Sequence, residues 1–368
     1  MMNTGETMNS IKMVVLVVLA SVGFLAFECS AAESRPSVSE LLDKYTQALD
    51  STQSFISSWE YSGIGSCNIP SWGMRKNNAR QYEEGEHRTD NKGRSYVKSF
   101  RWGHVSGSIV SRDKAVYVLS VVGSAFTYRH NKHLGAPPDR SHLRYLEEGK
   151  PGWDTSYRKS WGYFDKNGKV NFFMGYMQTK ARLDRILKKA RRISLRPKPE
   201  KLRGFVCYVI EADTKRGEFK VWLDSEHGYH PAKIEVFVAL GDDIGDPGSP
   251  RIITKADGIT RQYAMSNVRF EKVDGVWVPM EADSRSHVAL GSENGFSSGR
   301  SHFKRLKIVL NPDHDALGSF EDPTKNLDLD PELQDGTVLY TGEKGKSTWS
   351  RDKAAAAADG NESEEGMP

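Results

Sequence analysis

The apolar positions change period once near the start of the chain. Val38, Leu41, Leu42, Tyr45 and Leu49 follow Ser37-x-x-Glu40 at helical spacing, a capping-box pattern that predicts a helix opening at Ser37. Beyond Asp50-Ser51-Thr52 the period becomes two. Strands are expected at 54–63, 80–87, 94–104, 115–122 and 124–129, with Tyr96, Phe100 and Trp102 on one face of the third. Residues 131–178 mix Gly, Pro, Trp and Tyr irregularly and read as a functional loop or covering flap. A basic helix is predicted at 178–192, with Leu183, Ile186, Leu187 and Ala190 as a narrow apolar stripe.

The clearest strand signal follows, at 204–211, 217–224, 231–239, 262–271, 276–290 and 300–310. Phe219, Val221 and Leu223 alternate against Lys220 and Trp222; Ile234, Val236 and Val238 alternate against Lys233, Glu235 and Phe237. Asp274-Gly275 is a strong hairpin turn. Short turns between successive strands predict an antiparallel meander, one face dry and one partly wet. Helical spacers are absent here, which excludes a parallel βαβ sheet, and no fixed repeat argues for a propeller. The expected class is mainly β with a few helices.

Composition narrows the biology. The 368 residues are 38% hydrophobic, and eight Trp, fourteen Tyr and fifteen Phe need burial, so disordered and collagen-like readings fail. A net charge of +4 gives no polyelectrolyte case for nucleic acid. The uncharged run Met13–Phe27 follows Lys12 and precedes Ser30-Ala31-Ala32. It is shorter than the ~18 apolar residues of a membrane span. Residues 1–32 therefore read as a signal peptide cleaved after Ala32, with an uncleaved anchor as the alternative. A lipoprotein on Cys29 is disfavoured, because Phe27 and Glu28 stand where such signals need small residues. Export to the periplasm or cell envelope is the expectation.

In an oxidising compartment the two remaining thiols, Cys67 and Cys207, could form a disulfide. Equally, Cys207 could be a small buried hydrophobe within Phe205–Ile210. The residues after Phe320 change character. From Asp313 to Pro368 there are fourteen acidic against five basic residues, and 321–368 reads as a mostly disordered acidic tail. A short strand near Thr337–Thr341 could still join the sheet.

Candidate chemistry is sparse. Asp224, Glu226, His227 and His230 could ligate zinc in a hydrolase, but no HExxH is present, and a polar turn explains the same residues. His130-Asn131-Lys132-His133 reads as a polar loop, and Asp313-His314-Asp315 as a turn after the last long strand. Gly-x-Ser-x-Gly and phosphate-loop patterns are missing. Lys180–Arg203 carries eleven Lys/Arg against Asp184 and Glu200, which suits either a solvated helix face or contact with anionic lipid.

The signal peptide, the opening helix SVSELLDKYTQALDSTQSF and the hairpin VWLDSEHGYHPAKIEV together resemble the outer-membrane lipoprotein-sorting family (LolA/LolB-like). VDGVWVPMEADS and FKRLKIVLNPDHDALGSFEDP resemble its extended members. The likeness spans roughly residues 35–320, within a domain set at 33–320. It implies a strongly curved antiparallel sheet, an unclosed barrel, whose concave apolar face is covered by helices and holds acyl chains. Function is then expected to be non-enzymatic binding of an acyl lipid or lipoprotein, with no cofactor, metal or nucleic acid. Leu183, Ile186 and Leu187 would form a lid over the sheet. Arg182, Arg185, Lys188, Lys189 and Arg192 would touch anionic head groups at a membrane surface. The alternatives are a regulator that binds a protein segment on the same fold, and a metal-dependent hydrolase using the 224–230 turn.

Overall fold

The computed structural model describes residues 35–70, 74–105, 108–147, 176–177, 181–245, 251–255, 258–291, 295–341 and 345–360. Residues 1–34, which hold the expected signal peptide and Cys29, residues 148–175 of the irregular stretch and the final residues 361–368 lie outside them.

Helix α1 (Val38–Asp50) opens as its sequence predicts: the Ser37 hydroxyl accepts from the Glu40 N–H, and the Glu40 carboxylate accepts from the Ser37 N–H. The first arm of strands comprises β1 (Phe55–Ile69), β2 (Met74–Thr89), β3 (Ser95–Val105), β4 (Ser108–Val110), β5 (Val116–Val122), β6 (Phe126–His133) and β7 (His142–Glu147). A short pair, β8 (Tyr176–Met177) and β9 (Ala181–Arg182), precedes α2 (Leu183–Lys188). The second arm comprises β10 (Arg192–Leu195), β11 (Glu200–Leu202), β12 (Phe205–Thr214), β13 (Gly217–Asp224), β14 (Pro231–Val238), β15 (Ile259–Val273), β16 (Val276–Leu290) and β17 (Gly295–Leu310). The chain ends in β18 (Val338–Thr341), β19 (Gly345–Thr348) and α3 (Arg351–Gly360).

Seventeen of these strands form one sheet, and β8–β9 form a separate pair. The first strand lies at its centre: β1 pairs with β17 on one side and β2 on the other, from Phe55 opposite Leu310 and Thr89 onward. From β1 the second arm runs outward through β16 to β12 and its partners β10 and β11. The first arm runs outward through β2, β3, β5, β6 and β7. Beyond β7 comes β18, the parallel exception, and then β19. Among the described residues the two ends of the sheet do not pair with each other, so the sheet is unclosed. Register shifts at Ser58/Trp59, Gly65/Cys67 and Trp222/Leu223, and twice between Ser266 and Phe270, are bulges that bend and twist the strands. At the β15–β16 hairpin, Asp274 and Gly275 have φ 49° and 84°, the paired positive values of a type I′ turn.

Two apolar clusters hold the arms. Leu41, Leu42, Tyr45 and Leu49 of α1 and Leu183, Ile186 and Leu187 of α2 pack on Ile210, Phe219, Val221, Ile234, Val236 and Met265 of the second arm. On the first arm, Tyr96, Tyr117, Leu119, Val121, Tyr128 and Leu143 pack against Phe320, Leu329, Leu333 and Trp349.

That second cluster corrects two expectations. Residues 321–341 and 345–349 are folded onto the sheet rather than disordered, because four widely spaced apolar side chains seat them despite the acidic composition between. The strand near Thr337–Thr341 pairs with β7 as expected. The front of the 131–178 stretch is likewise ordered: β6 continues to His133, and Leu143 in β7 is fully buried.

Candidate functional site

Antiparallel partners directly opposite each other share a face, so the register sorts the second arm into two surfaces. Ala212, Phe219, Val236 and Tyr263 are successive cross-strand partners and are all buried beneath the helices. The neighbouring row points the other way. Glu211, Lys220, Glu235, Ala264, Arg285, Arg300 and Ile64 stand opposite one another across β12 to β17 and β1. Asp213, Glu218, Phe237, Gln262, His287, Ser298 and Ser66 form the next row on that same face.

Both outward rows line a cavity of about 1320 Å³, which the intervening row of Ala212, Phe219, Val236 and Tyr263 also borders, while the exposed charged side chains that line it all belong to the outward rows. The open volume therefore lies on the face turned away from α1 and α2. Acyl chains beneath a helical lid were the expectation; the helix-covered face is instead filled by its own side chains, with Leu183 and Leu187 at 0% and 1% exposure. A smaller cavity of about 230 Å³ sits where Gly63, Gly65, Ala79 and Gly299 leave β1, β2 and β17 thinly covered.

The cavity is electrically divided. On the β10–β14 side the carboxylates are largely paired: Asp213 with Arg192 at 3.1 Å, Glu211 with Arg196 at 2.8 Å and Glu235 with Lys233 at 2.7 Å. The Lys220 and Lys233 ammonium groups also lie over the Trp222 ring, 4.4 and 4.3 Å from its centre. Arg285, His287 and Arg300 are exposed on the β16–β17 side. Ile64 and Phe237 place apolar surface between these charges.

The expected lid helix is shorter than predicted, six residues rather than the whole of 178–192, because Arg192–Leu195 leaves it to pair with β12. Its cations are not equivalent. Arg182 is buried, donating to Asp184 at 2.8 and 2.9 Å and to Asp50 at 2.6 Å, so it is a core ion pair and not a head-group contact. Lys188 pairs with Asp43 and Arg192 with Asp213, while Arg185 and Lys189 face outward.

The bridged alternative for the cysteines is also corrected: both are free thiols. Cys67 lies in β1 and Cys207 in β12, with β13 to β17 between them at about 4.8 Å per strand. Burial, reinforced by the Asp224 charge, pushes the Cys207 thiol up to about 12.

The 224–230 turn is internally satisfied. The buried Asp224 carboxylate accepts from the Glu226 N–H at 2.9 Å and lies 2.8 Å from His227 Nδ1. The His227 ring sits among Phe205, Phe270 and Trp277. Burial holds the His230 imidazole down at about 4. No group of three potential metal ligands occurs among the described residues.

Sequence reasoning missed a buried polar centre. Asp330 receives the hydroxyls of Tyr117, at 2.9 Å, and Tyr128, and lies 2.8 Å from His130 Nδ1. All four residues are at most 1% exposed. Burial and the Asp330 charge push both phenols up, so they stay protonated donors. The one available signal was His130, read in a polar loop after the strand at 124–129 where β6 in fact continues to His133, too weak to name a partner two hundred residues away.

No protein-family model matches the chain, and no curated protein matches it. Among solved structures it is similar to LprF from Mycobacterium bovis at 9% identity and TM-score 0.27, covering 76% of this chain and 98% of LprF. It is similar to lipovitellin, in a structure of its lipid–protein interactions, at 10% identity and TM-score 0.25 over 71% of this chain; that match spans 26% of lipovitellin. A mutant Rh. blastica porin matches at 7% identity and TM-score 0.20, over 68% of this chain and 99% of the porin. At these scores the matches carry neither a fold nor a function over to this chain.

Proposed function

We propose that this protein is an exported, non-enzymatic binder of an acyl lipid or a lipoprotein, received in the open cavity of the second arm. The observation that carries the reading is that cavity. At about 1320 Å³ it exceeds the ~300–1000 Å³ of most small-molecule pockets, and its lining interleaves apolar with charged side chains, as an amphiphile requires. Each methylene removed from water contributes about 0.8 kcal/mol, so one chain along Ile64 and Phe237 would bind without any reacting group. The strand pattern that marks the chain as resembling lipoprotein-sorting proteins, and its leader-like first 32 residues, point the same way.

Solvent extraction of the purified exported protein, followed by mass spectrometry, tests the reading directly. The expected result is a co-purifying lipid, together with uptake of a pyrene-labelled phospholipid by stripped protein and its loss in Phe237→Asp. Stripped protein that takes up no probe would refute it.

A further inference from the structure

Arg285 and Arg300 are direct partners across β16 and β17, and both are exposed in the cavity. Like charges directly opposite each other in a sheet are destabilising. Neither side chain makes an ion pair or hydrogen bond among the described residues, whereas Arg182, Arg192, Arg196 and Arg269 each hold a carboxylate within 3.1 Å. The nearest acidic side chain along the strand on the same face, Asp283, is already engaged by Asn267 at 2.6 Å and His302 at 2.8 Å. Burial pushes the Asp283 carboxyl up, but those hydrogen bonds and the His302 and Arg285 charges hold it below its usual range. Arg80, opposite Ile64 in β2, continues the positive edge across the sheet. The opposing carboxylates on β12 and β14 have cations of their own, so the imbalance stays local.

We propose that Arg285 and Arg300 together bind the phosphate of an anionic phospholipid head group at the β16–β17 end of the cavity. This rests on the lipid-binding reading above and gives that lipid a charge. Two guanidinium forks on adjacent strands match the tetrahedral oxygens of a phosphate, which a single ammonium would meet as a point charge. An anion between them also removes the repulsion that the empty site carries. The chain would extend from there past Ile64 toward Phe237.

Three probes separate the outcomes, each titrated calorimetrically into the full-length exported protein: dihexanoyl phosphatidic acid, inorganic phosphate and the neutral amphiphile octyl glucoside. The wild type is expected to bind the phosphatidic acid well above phosphate alone. Arg285→Gln and Arg300→Gln should each weaken it about tenfold or more, since each removes a charge-assisted hydrogen bond. Binding of octyl glucoside should not change in either variant, and the exposed-cation control Lys114→Gln should bind like the wild type. Without ligand, both Gln variants should melt at or slightly above the wild-type temperature, because the like-charge pair is relieved. A purely structural role would lower it.

Equal affinity for phosphatidic acid and octyl glucoside in the wild type would overturn the head-group proposal while leaving lipid binding intact. Phosphate binding as tightly as the lipid would overturn it in favour of a free-anion site. Failure of both amphiphiles would overturn the lipid reading itself.

Discussion

Leu183 and Leu187 decide whether α2 is a movable lid or part of the core. They are 0% and 1% exposed and pack with Leu41, Leu42, Tyr45 and Leu49 on the inner strands. Truncating a buried leucine to alanine costs about 2–5 kcal/mol, the transfer of the lost atoms plus the cavity left behind. The two side chains lie one turn apart on the same face, so their effects couple, and the pair should cost about 4–8 kcal/mol rather than a strict sum. Domains hold about 5–15 kcal/mol in all, so Leu183→Ala/Leu187→Ala should be barely folded. Urea unfolding followed by far-UV circular dichroism and Trp fluorescence measures the loss. Both probes should move together to a lower midpoint, while Ile109→Ala, at a side chain 79% exposed, should stay within about 0.5 kcal/mol of wild type. A lid would open below global unfolding and leave the midpoint alone. A double variant within about 1 kcal/mol of wild type would sink the assignment of α2 to the core.

Acid should destabilise the fold in a definite window. The buried His87 and His230 imidazoles are held down at about 3 and about 4, chiefly by desolvation, so the unfolded chain binds their protons first. Stability is then fully present above about pH 6.5 and falls as pH drops toward those values, by about 2 kcal/mol for each histidine at pH 5. His230→Gln should roughly halve the fall of the urea midpoint between pH 7 and 5, His87 keeping its share, and an unchanged slope would count against the buried neutral ring. Iodoacetamide at pH 8 should label Cys67 alone in native protein, without reductant, and reach Cys207 after unfolding. Protection of both thiols until reduction would restore the disulfide. Asp330→Ala strands the Tyr117, Tyr128 and His130 donors in the interior and should cost about 3 kcal/mol or more, with proteolysis beginning after Phe320. Cleavage elsewhere first would show that the 321–349 segment is held by other contacts.

Much of the architecture was legible because its causes are local. The Ser37/Glu40 cap, the Asp274-Gly275 turn and the alternation in β13 and β14 each depend on neighbours within a few residues. So the strand at 276–290 was read at its actual limits and most others to within a few residues. Period two divides a strand into two faces, but it does not say which face meets another element. That is why the sequence suggested a lipid surface beneath Leu183 and Leu187, where the tertiary structure has a filled core, and why the cavity opens on the charged rows instead.

Arg182 shows the same limit: within a basic run it looks solvated, and only the approach of Asp50 from α1 makes it a buried ion pair. Asp330 shows it most fully. Nothing in its acidic surroundings distinguishes it from a disordered tail, since its hydrogen-bond donors arrive from β5 and β6, about two hundred residues earlier. Secondary structure in this chain follows from local steric and hydrogen-bonding preferences. The placement of the tail and the cavity follows from pairings between residues far apart in sequence, and those exist only once the sheet has assembled.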